Sequence, residues 1–263
     1  MEVYPMTDLS SIGALRTDIT LTLHTHHATR LWQGKQVKQG DKTTTRIVSY
    51  PFCLSVLSRI HQHSAQDDPY ADNYLLNIET KILSARKEIS KLSDQIFDLY
   101  TDKIPEEIKL SNSFNVSPIE IPLIVKSAMG YQLIYLLADF DNLARIVMTG
   151  AHIAIMSRSD AGIIMNRAAH LIRSILGYIQ RYQDAGVNRQ DLKNGTALAL
   201  AAIKRFGELP DDILSGQRRS QFAPINLSLI LSKNDNDDAE EVKNSSDNIQ
   251  TDAESSTSDN SDK

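Results

Sequence analysis

Cysteine is almost missing from this chain: Cys53 is the only one in 263 residues. A lone thiol cannot form an intrachain disulfide, so a reducing compartment is expected and the fold must rest on its core. Long apolar runs are missing too. The best, Leu133–Ala138, stops at Asp139 and Asp141, far short of the roughly 20 residues that cross a bilayer. Residues 1–12 carry Glu2 and Pro5 and no apolar core, which argues against a signal peptide. A soluble, cytoplasmic chain without a membrane partner is expected. P-loop, G-x-S-x-G, H-E-x-x-H and dinucleotide-binding patterns are all lacking. Nothing therefore supports an enzyme, a catalytic residue, a cofactor or a small-molecule ligand.

What is present is ordinary in bulk, with 41% hydrophobic and 23% charged residues. The formal charge of −5 is unevenly spread. Residues 233–263 hold ten acids against three lysines, a balance of −7, which leaves about +2 for the rest. That segment is rich in Ser, Asn and Asp and has no aromatics, so it cannot bury enough surface to order itself. The expected organisation is a flexible N-terminus (1–12), a single α-rich body (13–232) and a disordered acidic tail (233–263). The body divides into halves at 13–104 and 118–224. The tail reads as a solubilising extension or as a charge mimic competing for a basic nucleic-acid site.

Along the body, Asp18–His26 alternates, with Ile19, Leu21 and Leu23 on one face and Thr20, Thr22, His24 and His26 on the other. This predicts a half-buried strand. A polar stretch, Gln33–Thr45, is followed by a short strand-like run at Arg46–Tyr50 and a helix at Phe52–His63. Asp67-Asp68-Pro69 is a helix start. From there Leu75, Ile78, Ile82, Ala85, Ile89, Leu92, Ile96 and Leu99 form a heptad stripe. It predicts one long helix packed on a neighbour in the same chain or on its copy in a second subunit. Ile119–Val125 alternates around Pro122 as an edge strand. Helices are expected at Tyr131–Thr149, from Ser159-Asp160 to about Tyr182, at Asp191–Phe206 and at Pro210–Leu214. The fold class is α+β, predominantly helical, with a helical C-terminal half.

Candidate chemistry is sparse. His24, His26 and His27 lack acidic or cysteine partners nearby, and His61 and His63 do not share a helix face, so no metal site is expected. The acids from Asp67 to Asp72 could serve as a general acid–base pair, but helix capping accounts for Asp67 and Asp68 and no nucleophile or phosphate loop accompanies them. Asp141 and Arg145 have the spacing of a stabilising helix pair. Cys53 reads as a buried, inert thiol. The basic residues say more: Arg30, Lys35, Lys38, Lys42 and Arg46 fall within seventeen positions that hold one acid, Asp41. Arg167, His170, Arg173 and Arg181 make a second group on the polar side of their helix. Such clusters suit phosphate contacts and also any solvated surface.

Several stretches taken together resemble one family. They are Leu15-Arg16, Leu21-Thr22-Leu23-His24-Thr25 and Arg30-Leu31-Trp32-Gln33-Gly34-Lys35 near the start, then Gln66-Asp67-Asp68-Pro69-Tyr70-Ala71-Asp72. Leu136-Leu137-Ala138-Asp139-Phe140-Asp141 with Arg145, Leu209-Pro210 and Leu214-Ser215-Gly216 complete them. The pattern, from about Gly13 to Pro224, resembles the AcaB-like proteins of bacterial integrating conjugative elements and related conjugative plasmids. The resemblance implies a dimeric ribbon-helix-helix DNA-binding regulator of transfer genes. Two antiparallel strands would enter the major groove. Thr43–Tyr50, Phe52–His63 and Pro69–Tyr100 supply that order in the N-terminal half; the strand at Thr20–His24 is a rival ribbon. On this reading Arg30, Lys35, Lys38, Lys42 and Arg46 contact DNA. The alternative is a non-catalytic accessory protein of conjugative transfer or element maintenance, acting through protein contacts.

Overall fold

A computed structural model describes residues 18–35, 47–110 and 114–226. Among them the order is β1 (Ile19–Leu23), α1 (His26–Gln33), α2 (Tyr50–Ala65), α3 (Pro69–Lys103), β2 (Ile119–Leu123), α4 (Ala128–His152) and α5 (Arg158–Gln180). The short helices α6 (Arg189–Asn194), α7 (Ala197–Phe206) and α8 (Asp211–Leu214) follow. The fold is α+β and predominantly helical.

Helix α3 is the spine. Asp68 caps it, its carboxylate accepting from the Tyr70 and Ala71 N–H groups, and Pro69 occupies the first turn. Its 35 residues span about 52 Å at 1.5 Å per residue. The heptad stripe from Leu75 to Ile96 is buried within the chain, against α2, α4 and α5. Each such aliphatic side chain contributes about 1.5–3 kcal/mol. At the last step the stripe shifts by one residue: Leu99 is exposed and Tyr100 is buried, donating its hydroxyl to the Ile146 carbonyl on α4. Arg86–Asp139 at 2.7 Å and Arg167–Glu88 tie the outer edges of α3 to α4 and α5.

The two strands form one antiparallel ribbon within the chain, with Thr20 opposite Pro122 and Thr22 opposite Glu120. Leu21 and Leu23 turn inward as the alternation requires. The strand ends earlier than the alternation predicts. Thr25 instead caps α1 by accepting from the Ala28 N–H, so His26 and His27 lie on a helix. The expected strand at Arg46–Tyr50 is not formed over its described part. Ile47 makes a single antiparallel bridge to Lys35, and Tyr50 already begins α2 with Pro51 in its first turn. The helix expected at Asp191–Phe206 is two, because Gly195 takes a left-handed cap (φ 61°) and Thr196 starts α7. The N-cap of α5 is Ser157, and that of α4 is Ser127.

The α2–α3 junction organises the far end of the chain. Helix α2 closes with the Asp68 N–H on the His63 carbonyl and the Asp67 N–H on that of Ser64. This is a Schellman pattern, with Asp67 left-handed at φ 68°. Asp72 is fully buried and accepts from Ser64, Arg189 (2.6 Å) and Arg219 (2.9 and 3.0 Å). Arg189 also reaches Asp67 at 2.6 Å and the carbonyls of Ile213 and Leu214. The acids around Pro69 thus do more than cap a helix: they anchor α6 and α8 and the chain beyond them.

Candidate nucleic-acid interface

Helix α1 presents a polar face with one fixed cation, Arg30. Thr25, Ala28, Thr29 and Leu31 are buried, leaving His26, His27, Arg30 and Gln33 exposed at helical spacing, with no acid in the helix. Burial, then the neighbouring His26 and Arg30, push the His27 imidazole below its ordinary pKa. Trp32 stacks on Tyr50 with ring centres 6.0 Å apart, fixing α1 to the start of α2. The Asp141 carboxylate, buried in α4, accepts from the N–H groups of His24 and Thr25 and from the Thr25 hydroxyl. Its partners at this junction hold the turn from β1 into α1, a role its spacing to Arg145 did not reveal.

Just past α1 the chain makes a close approach. Gly34 has φ 71°, and a Cβ on it would stand 2.6 Å from the Ile47 carbonyl oxygen and 2.8 Å from the Ser49 nitrogen. Glycine is required there. The Lys35 N–H donates to the Ile47 carbonyl at 2.9 Å, so these two residues, twelve apart in sequence, lie side by side. Of the five expected contact residues, Arg30 and Lys35 are exposed at this place, on α1 and at the clamp. Lys38, Lys42 and Arg46 lie outside the described residues.

On the other side of α1 an open cleft of about 930 Å³ is lined by His24, His27, Arg145, His152 and Arg158, and no carboxylate is among its described lining residues. Sequence spacing could not show this, because its walls come from the turn into α1, α1 itself, residues 114–116, α4 and α5. The histidines of the first run are not gathered for a metal: His24 Nδ1 accepts from the Asn115 N–H at 3.2 Å, and His26 and His27 are successive residues of a helix. The rival ribbon offers no cation. Its outward residues are Thr20 and Thr22 on β1 and Glu120 and Pro122 on β2. Arg167, His170 and Arg181 are exposed and Arg173 is half-buried, along α5 and at its C-cap.

Cys53 is buried, its thiol pushed up to about 12 by desolvation, with Sγ directed at the Leu176 carbonyl at 3.7 Å. Among the described residues no helix is long and apolar enough to cross a membrane.

Comparison with curated proteins gives no significant match. Among solved structures, the crystal structure of AcaB from uropathogenic E. coli is similar at 16% identity, covering 76% of this chain and 95% of that one with a TM-score of 0.46. The profile of the transcriptional regulator AcaB matches residues 11–226, and the chain belongs to that family of transcriptional regulators.

Proposed function

We propose that this regulator acts by binding duplex DNA, with Arg30 and Lys35 on the described surface and Lys38, Lys42 and Arg46 on the adjoining segment as its contacts. The observation that carries the reading is the Gly34–Ile47 clamp. It brings Lys35 and Ile47, the residues that flank the basic segment in sequence, side by side next to a helix that exposes Arg30 and no acid. Backbone phosphates are bound by such clusters, with base edges left to whichever side chains reach the groove. The targets that the family resemblance points to are promoters of conjugative-element transfer genes.

A ribbon-helix-helix dimer is the finer form of this reading. Segment 43–50 would be the ribbon ahead of α2 and α3, with a homodimer as the binding unit. Since α4 and α5 of the same chain cover the α3 stripe, the subunits in that form would meet through their ribbons and not through the α3 seam. The second reading, an accessory protein working through protein contacts, draws on the apolar cleft of about 490 Å³ at the end of α3, beside the exposed Phe97.

A titration of element promoter DNA against salt tests the proposal. Five phosphate contacts give a slope of about −4.5, or about a 500-fold loss of affinity between 50 and 200 mM salt. Arg30→Ala with Lys35→Ala should make the slope shallower by about 2. Affinity no better than for random DNA at physiological salt, or an unchanged slope, refutes it. Sedimentation addresses the finer form: a strict monomer at micromolar concentration contradicts the dimer.

A further inference from the structure

Where α2 gives way to α3, three groups able to hold a cation converge. One oxygen each of Asp68 and Asp184 and one ring nitrogen of His63 lie within 4.8 Å of one another. His63 stands in the last turn of α2, Asp68 is the α3 cap, and Asp184 lies beyond α5. Asp68 is only 4% exposed, yet half of its carboxylate is unused. Its Oδ1 takes the Tyr70 and Ala71 N–H groups at 2.8 and 3.2 Å, while its Oδ2 is buried with no hydrogen-bond partner. Helix capping explains the first oxygen and not the second. A dry, unpartnered carboxylate oxygen is costly and persists only if something neutralises it. A proton or a cation can meet that need.

The spacing has room for a cation. His63 Nδ1 and Asp184 Oδ1 are 3.4 Å apart, and two ligands each about 2.1 Å from a tetrahedral ion stand about 3.4 Å from one another. The Asp184 side chain is 54% exposed and its Oδ1 accepts from the Gly186 N–H at 2.9 Å, which holds the carboxylate beside His63. We propose that His63, Asp68 and Asp184 form a site for a zinc-type divalent metal ion, with His63 Nδ1, Asp68 Oδ2 and one Asp184 oxygen as ligands. The imidazole selects Zn²⁺ or Co²⁺ over Mg²⁺ and Ca²⁺, which take oxygen sets. The Tyr182 hydroxyl, 2.8 Å from His63 Nδ1, gives up that nitrogen and stays beside the ion, where water completes the set. The ion would pin the α2–α3 junction to the loop leaving α5. Neither histidine run signals this site, because two of its three ligands lie elsewhere in the sequence.

The test is a titration of the chelator-treated full chain with Co²⁺ and then Zn²⁺. One equivalent of Co²⁺ should produce the intense visible absorption of a four-coordinate centre, and Zn²⁺ should abolish it. Asp68→Asn keeps the helix cap, since asparagine caps as well as aspartate, but removes the charged oxygen. Asp184→Asn alters an exposed side chain outside the core, and His63→Ala removes the nitrogen. Each should weaken binding at least tenfold, with an unchanged circular dichroism spectrum for Asp184→Asn. No cobalt spectrum overturns the proposal and leaves Asp68 neutralised by a proton. Uptake that survives Asp184→Asn, as from the acids of 233–263, overturns it equally.

Discussion

Replacing Gly34 by alanine separates two ways in which the clamp can respond. If the native geometry holds, alanine must adopt φ near 71° with ψ near −170°, a region closed to most residues with a Cβ, at about 1–3 kcal/mol. Its Cβ would also overlap the Ile47 oxygen and the Ser49 nitrogen. These are backbone atoms and cannot swing aside, so overpacking adds about 1–3 kcal/mol. The stiffer unfolded chain returns at most about 1 kcal/mol. If the clamp opens instead, the molecule loses one Lys35–Ile47 hydrogen bond, worth about 0.5–1.5 kcal/mol net. It also loses part of the burial of Val48, whose full value is about 1.5–3 kcal/mol. Opening is the cheaper route. The expected result is a modest stability loss of about 1–3 kcal/mol by urea unfolding, together with a weaker and less salt-dependent DNA complex. Gly195→Ala is the control: its φ is 61° with nothing within 4 Å, so it should cost about 1–2 kcal/mol and leave DNA binding alone. A Gly34→Ala protein that matches the control in both measurements refutes the reasoning.

Arg189→Ala strips the half-buried Asp67 and the buried Asp72 of their shared partner. It should cost about 3–5 kcal/mol in denaturant unfolding; a loss under 1 kcal/mol would show that Arg219 alone suffices for Asp72. Cys53 should resist alkylation at pH 8.5 in the native protein and react only on unfolding, since burial lifts its thiol from 9.0 to about 12. The sign follows: its contribution to stability is whole below about 9 and is lost as pH rises toward 12. Modification at pH 8.5 at the rate of a free thiol would contradict this.

Local signals were legible where they did not depend on distant partners. Asp68, Pro69 and the stripe from Leu75 to Ile96 located α3, because a cap and a 3.5-residue repeat are properties of one segment. Helix α1 was hidden, since the alternation of β1 runs on through Thr25 and His26 before the Thr25 cap turns the chain. The break at Gly195 was hidden for the opposite reason, with apolar spacing masking a left-handed cap. The basic segment from Arg30 to Arg46 was visible as composition. The Gly34 approach that clamps it, and the carboxylate-free cleft beside it, need Ile47, α4 and α5 in place. Asp72 with Arg189 and Arg219 was out of reach, because its partners lie 117 and 147 positions away.

The pairing of β1 with β2 also imposes an order of assembly. Leu23 and Ile119 are register partners across roughly 100 residues, and closing a loop of that length costs about 4 kcal/mol before any contact is made. Helices α2 and α3 are neighbours in sequence and can join early. Strand β1 must wait for β2, and the turn into α1 must wait for Asp141 of α4. The exposed face of α1, with Arg30, would therefore precede α4 in synthesis and be put in place only after it. Pulse-labelled hydrogen exchange should show Ile19–Leu23 gaining protection no earlier than α4; earlier protection would contradict that order. On the proposed DNA-binding reading, the surface that carries Arg30 would be completed only once α4 had folded.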